Sequence, residues 1–270
     1  MTDVNRPIGV FDSGIGGLTV VKELMDKLPN EEIIYLGDTA RVPYGTKSKE
    51  TITRYSLECA EFLTNKNVKM LITACNTISA SSLDELEASF PVPILGVIIP
   101  GAKAAVEATK LNQIGVIGTE RTISSNAYKD AIKEIDGKIE IHQKPCPLFV
   151  HLAEEGWHDI EVTHLTAIEY LADFKLKGID TLVLGCTHYP LLENVIQRVV
   201  GRKVKLINPA NETARTAKEI LEEKNLQRTT DTQPTYQFYV TDNPEKFIQV
   251  GEKFLDREIR NIEKVNITRI

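Results

Sequence analysis

No stretch of this 270-residue chain is apolar for long enough to cross a bilayer. The richest runs, such as residues 92–100, fall far short of the roughly 18 residues that a spanning helix needs. Basic charge is not in excess either: 32 Lys and Arg stand against 38 Asp and Glu, a net charge of −6. That balance excludes the electrostatic footprint of a nucleic-acid binder and argues against docking on an anionic membrane surface. Cysteine is scarce, four in all, and no two form a Cys-x-x-Cys pair, so neither a redox motif nor a zinc knuckle is expected. Residues 1–7 hold no apolar core and no cleavage pattern, so no export signal is expected. Four scattered thiols then point to a reducing, cytoplasmic setting. With 42% apolar and 26% charged residues, the chain has globular proportions, enough for two lobes with a core each.

Short apolar runs alternate with amphipathic stretches. Strands are predicted at residues 8–11, 33–36, 70–72 and 94–98, and helices at 18–28, 50–63 and 79–88. The pattern then restarts, with strands at 114–118, 139–141, 181–184, 204–207 and 236–240. Helices are predicted at 102–108, 124–135, 160–174, about 191–200, 212–224 and 244–255. The polar segment 227–233 reads as a loose surface connection. Such alternation predicts an α/β fold of mostly parallel sheets flanked by helices.

The restart is an internal repeat. Ile8-Gly9-Val10 opens one half and Ile114-Gly115-Val116 the other, and each half later runs an apolar strand into a cysteine. In the first half that cysteine is Cys75, followed by Asn76 and Thr77; in the second it is Cys186, followed by Thr187 and His188. Ligands of parallel sheets bind beyond the carboxyl ends of strands. Two lobes facing each other would therefore point both thiols into one cleft. The expected division is residues 1–97 plus 208–270 for the first lobe and 98–207 for the second.

A cysteine that starts a helix gains thiolate character from the free N–H groups and the dipole. The same N–H groups, with Asn76, Thr77 and Thr187, suit a carboxylate. A pair of such thiols suggests proton removal from one face of a substrate and delivery to the other. Cys59, inside a helical pattern, and Cys146, between two prolines, read instead as core thiols.

Other motifs are less decisive. The loop Asp12-Ser13-Gly14-Ile15-Gly16-Gly17 partly matches a dinucleotide fingerprint, with Asp38 at the next strand end, but Thr19 stands where the third small residue belongs. A carboxylate beside those glycines suits an amino group or a thiol better than a pyrophosphate. The segment from Asp38 to Gly45 reads as a turn whose exposed Tyr44 and Gly45 amides could hold a second carboxylate. His188 has no partner pair at zinc spacing and fits a local acid or base tuning Cys186. His142, His151, His158 and His164 read as surface or helix residues, and Glu154 as part of a solvated helix face.

Together these stretches resemble the bacterial glutamate racemases. The resemblance rests on Ile8–Thr19 (IGVFDSGIGGLT), Tyr35–Gly45 (YLGDTARVPYG), Ala74–Thr77 (ACNT), Ile114–Thr119 (IGVIGT), Leu184–Leu192 (LGCTHYPLL) and Glu212-Thr213-Ala214. It departs from the family pattern at Ile78, His151 and Asn208–Asn211. The resemblance implies two pseudo-symmetric α/β lobes with the active site between them. It also implies interconversion of L- and D-glutamate without metal or other cofactor, supplying D-glutamate for peptidoglycan. By the same resemblance Cys75 and Cys186 are the acid/base pair, assisted by Asp12, His188 and Glu154. The resemblance further implies that Ser13, Tyr44, Gly45, Asn76, Thr77, Thr119, Thr122, Thr187, Asp12 and His188 contact substrate. The expected partner is glutamate, with no nucleic acid or membrane, and the expected assembly a homodimer.

Two other readings stay open on the sequence. A solute-binding module could use the same two-lobed cleft but would not need matched cysteines. A nucleotide-dependent oxidoreductase would use the glycine loop but lacks the third small residue.

Overall fold

Each sheet is built around a fully buried strand. Ile8–Asp12 (β1) is apolar on both faces, as a strand covered by helices requires. It leads through the glycine loop into Leu18–Lys27 (α1), Ile33–Gly37 (β2), Lys49–Asn65 (α2), Met70–Thr73 (β3), Asn76–Ser89 (α3) and Ile94–Gly96 (β4). Ile98–Ala108 (α4) opens the second half, which continues with Gln113–Gly118 (β5), Glu120–Ser124 (α5), Ala127–Ile135 (α6) and Glu140–Pro145 (β6). Leu148–Glu154 (α7), Glu161–Lys177 (α8), Thr181–Gly185 (β7), Glu193–Val200 (α9) and Lys205–Ile207 (β8) follow. Pro209–Glu223 (α10), Tyr236–Val240 (β9), Pro244–Leu255 (α11) and Ile262–Lys264 (β10) come last. This computed structural model describes residues 4–230 and 232–268; the start of the segment 1–7, and Asp231 within 227–233, lie outside them. Among the described residues no helix is long and apolar enough to cross a membrane.

Among the described residues all strand pairings are parallel. One sheet has six strands in the order β10-β9-β2-β1-β3-β4, the other four in the order β6-β5-β7-β8. In each, the chain steps from the opening strand to one neighbour and then crosses to the other side. The reversal falls between β1 and β3 in the first sheet and between β5 and β7 in the second, and such switch points leave a crevice at the carboxyl edge. Both faces of each sheet are covered. Leu18, Val21, Ala214 and Phe254 of α1, α10 and α11 pack on one face of the first sheet, and Ile52, Leu63 and Leu86 of α2 and α3 on the other. Ala102 and Ile132 cover one face of the second sheet, Leu171 and Val195 the other.

Several boundaries differ from the sequence reading for local reasons. The strand predicted at 94–98 stops at Gly96, and α4 begins at Ile98 because Pro100 falls in its first turn, where no N–H is needed. The helix predicted at 124–135 breaks at Ser125-Asn126, where Asn126 turns left-handed at φ 60°. Helix α7 and strand β10 were not predicted. Within segment 227–233, Arg228 is tied down: its N–H donates to Glu31 Oε1 at 2.9 Å, and its guanidinium donates to Thr232 O at 2.8 Å. Glu31 is itself held by the buried Lys69 ammonium at 2.5 Å.

Candidate active site

The carboxyl ends of β1, β3, β5 and β7 converge on one small cavity of about 120 Å³. Asp12 ends β1, and Ser13 and Gly14 follow in the loop. Beyond β3, Cys75 is the N-cap of α3, which puts Asn76 and Thr77 in the first turn. Thr119 follows β5 and caps α5, its hydroxyl accepting from the Thr122 N–H at 3.2 Å. Cys186 follows β7. Of the residues expected at the site, Asp12 and Thr122 lie behind the cavity wall, fully buried; all the others line it. Cys59 and Cys146 do not line it.

The first thiol is sealed. Cys75 Sγ lies 3.6 Å from Ser13 Oγ, and the Asp12 carboxylate beside it accepts from the Gly14 N–H at 2.9 Å. Asp12 Oδ1 is buried without a hydrogen-bond partner, an acceptor still to be filled. Burial, and then the charge of Asp12, push the Cys75 thiol up to about 12, against the pull of Ser13 and the Ile78 N–H. The helix start alone therefore does not make Cys75 a thiolate, contrary to the sequence expectation. Burial also raises Asp12, opposed by the His188 charge and the Gly14 and Gly17 N–H groups.

The second thiol has a charged partner. Cys186 Sγ lies 3.7 Å from His188 Nδ1, and His188 Nε2 lies 3.0 Å from Glu154 Oε1. Burial works against a charge on His188, but its bonds to Cys186 and Glu154 win and carry its pKa up to about 10. Glu154 responds in the opposite sense: burial alone would raise it, yet the bond to His188 holds it low. Glu154 is thus not the solvated helix residue that its sequence context suggested. It ends α7, whose Phe149, Leu152 and Ala153 are buried and turn Glu154 toward the cleft. The two thiols are also not equivalent in backbone: Cys186 enters a turn closed by the Tyr189 N–H on its carbonyl, and no α-helix starts there.

The lobes touch at His188. The ring of Phe254, from α11, meets the imidazole edge-on at 5.4 Å. A Cβ placed on Gly16 would stand 2.3 Å from Thr187 Oγ1 and 2.7 Å from His188 Nδ1. Glycine is required there by this approach and not by a pyrophosphate. Thr19, the residue that spoils the dinucleotide fingerprint, donates to Gly16 O at 2.9 Å and so braces the same loop. A cavity of about 120 Å³ is also far smaller than the roughly 300–1,000 Å³ that larger ligands occupy, so it fits a single small molecule and no dinucleotide.

The rest of the wall is polar. Thr77, from the first lobe, bonds to Thr119 at 3.0 Å, and Thr119 bonds to Thr122 at 3.0 Å. The Tyr128 hydroxyl donates to Asn76 Oδ1 at 2.7 Å, which commits that side of the amide to the core. The Tyr44 side chain is buried and turned away from the cavity, with its hydroxyl on Asp38. Pro147, Val150 and His151 also line the cavity, and His151 is exposed at its mouth. Sequence reasoning missed these residues with α7, although the apolar spacing of Phe149, Leu152 and Ala153 between Pro147 and Gly156 is a helical signal. His142 and His158 bond elsewhere, to Gln113 and to the Ala153 carbonyl.

Comparison with known proteins places the chain in one family. The family model for Asp/Glu/hydantoin racemases matches residues 17–217. The chain is 53% identical over 262 residues to a glutamate racemase of Geobacter metallireducens, covering 97% of each. It is 50% identical to a glutamate racemase of Syntrophus aciditrophicus, again over 97% of each. Its fold matches the crystal structure of Francisella tularensis glutamate racemase in complex with D-glutamate, with a TM-score of 0.92, 47% identity and 98% of each chain covered.

Proposed function

This chain belongs to the Asp/Glu/hydantoin racemase family, and we propose that it is a glutamate racemase inverting the α-carbon between two thiols. One observation carries the reading: Cys75 and Cys186 follow corresponding strands of two sheets and line the same small cavity. With L-glutamate, the Cys186 thiolate takes the α-proton, so an S–H bond forms as the C–H bond breaks. The electron pair stays on the α-carbon and spreads into its carboxylate. The Cys75 thiol then gives its proton to the opposite face, which leaves D-glutamate and a Cys75 thiolate. D-glutamate runs the same steps backwards from Cys75.

The surroundings suit this division. The His188 imidazolium, backed by Glu154, stabilises the Cys186 thiolate. The open oxygen of Asp12 can accept from the Cys75 thiol or from the substrate ammonium. Ser13, Asn76, Thr77, Thr119 and Thr187 offer donors to the carboxylates, with Thr122 bracing Thr119 from behind and the Tyr44 and Gly45 amides at the far end. A thiol is far more acidic than the α-carbon. Preorganised donors in a site closed to water must therefore stabilise the carbanion.

In this reading residues 1–97 with 208–270 form the first catalytic lobe and 98–207 the second. The reaction needs no cofactor, the protein is a homodimer, and its D-glutamate serves peptidoglycan synthesis in the cytoplasm. Four unpaired cysteines fit that compartment. The test is incubation with L-glutamate alone, after chelation and dialysis, with optical rotation followed to zero. In deuterated water, early product should carry solvent deuterium while unreacted substrate stays mostly unlabelled. Activity restored only by an added metal or pyridoxal phosphate would overturn the proposal, as would equal labelling of both enantiomers from the first turnovers.

A further inference from the structure

We infer that Arg41 and Asp38 form a positioning element that presets the Tyr44–Gly45 amides for the substrate carboxylate remote from the α-carbon. The inference rests on the glutamate reading above and goes one layer behind it. Tyr44 and Gly45 line the cavity together with Val42, Pro43 and Thr46, and those three neighbours are exposed, so they do not anchor the segment. What fixes it is the buried side of Tyr44. Its hydroxyl donates to Asp38 Oδ2, and the same oxygen accepts from Arg41 Nε at 2.6 Å. The other Asp38 oxygen accepts from Thr241 Oγ1 at 2.9 Å, on the segment after β9. The Asp38 N–H donates to the Asp12 carbonyl at 3.1 Å, which ties this anchor to the end of β1.

Arg41 extends the anchor into α2. Its guanidinium pairs with Glu58 and lies 4.0 Å from the centre of the Tyr55 ring, which packs against Tyr44 at 5.6 Å between centroids. Tyr44 is therefore gripped at its hydroxyl by Asp38 and on its ring by Tyr55, and Arg41 touches both grips. Asp38 and Glu58 are buried, and Arg41 nearly so. Burying three ionised groups seldom adds stability over apolar packing, so the role inferred for this network is the geometry it imposes. Here that geometry is the placement of two backbone amides. On the cleft side the fit is equally close: a Cβ on Gly45 would stand 2.9 Å from Thr119 Cβ of the opposite lobe. None of Arg41, Asp38, Glu58 and Thr241 lines the cavity, so they act through Tyr44 and Gly45 and are not catalytic.

The experiment compares KM and kcat for both enantiomers in full-length Tyr44→Phe, Thr241→Val, Arg41→Lys and Arg41→Gln, with thermal melts alongside. Binding of the remote carboxylate is the same in ground and transition states, so KM should rise and kcat should stay within about twofold. The expected rise is roughly three- to tenfold for Tyr44→Phe and Thr241→Val, the net scale of one ordinary hydrogen bond felt through the Tyr44–Gly45 segment. Arg41→Gln should exceed both, and Arg41→Lys should recover part of the loss by keeping the charge without the fork. If Arg41→Gln does not fold, the two milder variants decide. Unchanged KM in folded Tyr44→Phe and Thr241→Val overturns the inference, as does a loss confined to kcat. Failure of the unmodified protein to racemise glutamate would instead overturn the reading beneath it.

Discussion

Replacing Glu154 by Gln removes one charge and keeps nearly the same shape. The carboxylate stands 3.0 Å from His188 Nε2, and its side chain is 28% exposed while that of His188 is 8% exposed. At an effective dielectric of about 20, two charges that close attract by about 5 kcal/mol. Desolvation of both partners offsets most of that, which leaves on the order of 1–2 kcal/mol, or about one pKa unit. The sign follows from the partners of His188. Burial alone would lower its pKa; Cys186 and Glu154 together lift it to about 10. Without the Glu154 charge the imidazolium gives up its proton at lower pH. The protonated form is the one that supports the Cys186 thiolate, so the alkaline limb of kcat from L-glutamate should move down by about one pH unit. Turnover near pH 8 should fall only modestly. The assay is the rate of change in circular dichroism between pH 7 and 11, for Glu154→Gln against the unmodified protein, with a melting curve at each pH. A folded variant with its limb in the original place would return Glu154 to a merely solvated helix residue.

The same histidine makes stability depend on pH. It holds its proton more tightly when folded, so its contribution is complete below about pH 6.5 and is lost as pH rises toward about 10. In urea denaturation the advantage of the unmodified protein over His188→Asn should therefore shrink from pH 6.5 to pH 9.5, and a constant difference would contradict the linkage. Cys75→Ala and Cys186→Ala should each abolish racemisation in a folded protein. Cys59→Ala and Cys146→Ala, both fully buried outside the cleft, should keep turnover and lose about 1–2 kcal/mol of stability to the cavity left behind. Gly16→Ala forces a Cβ to within 2.3 Å of Thr187 Oγ1, so kcat should fall about tenfold through displaced His188; normal turnover would show that the lobes can part freely there.

Residues with a strong local pattern were legible in the sequence. The apolar runs of β1, β3, β5 and β7 end where expected, and the matched cysteines follow them. Legibility failed where long-range contacts decide. Glu154 carries no local mark of its role, because its partner His188 is 34 positions away and the short helix between Pro147 and Gly156 is what aims it. The thiol of Cys75 was read from its helix start, a local effect, whereas burial and Asp12 from another strand dominate it. Pro43 and Gly45 signal the turn that carries the Tyr44 amide, but nothing local shows that the Tyr44 ring is held inside by Asp38 and Tyr55. Strand β10 is short, two of its three residues are charged, and its pairing with β9 is what defines it.

The partner of β2 arrives late. Tyr236–Val240 lies beside Ile33–Gly37 in the first sheet, and every strand of the second sheet comes between them in the chain. As the polypeptide leaves the ribosome, the four-stranded sheet has all its strands while the six-stranded one still shows an open edge along Tyr35 and Leu36. An open edge of apolar, unpaired backbone invites association with other chains. A product cut short after α10 would therefore keep both thiols and yet be a sticky, half-closed shell, and the last strands are what turn a synthesised chain into a safe one.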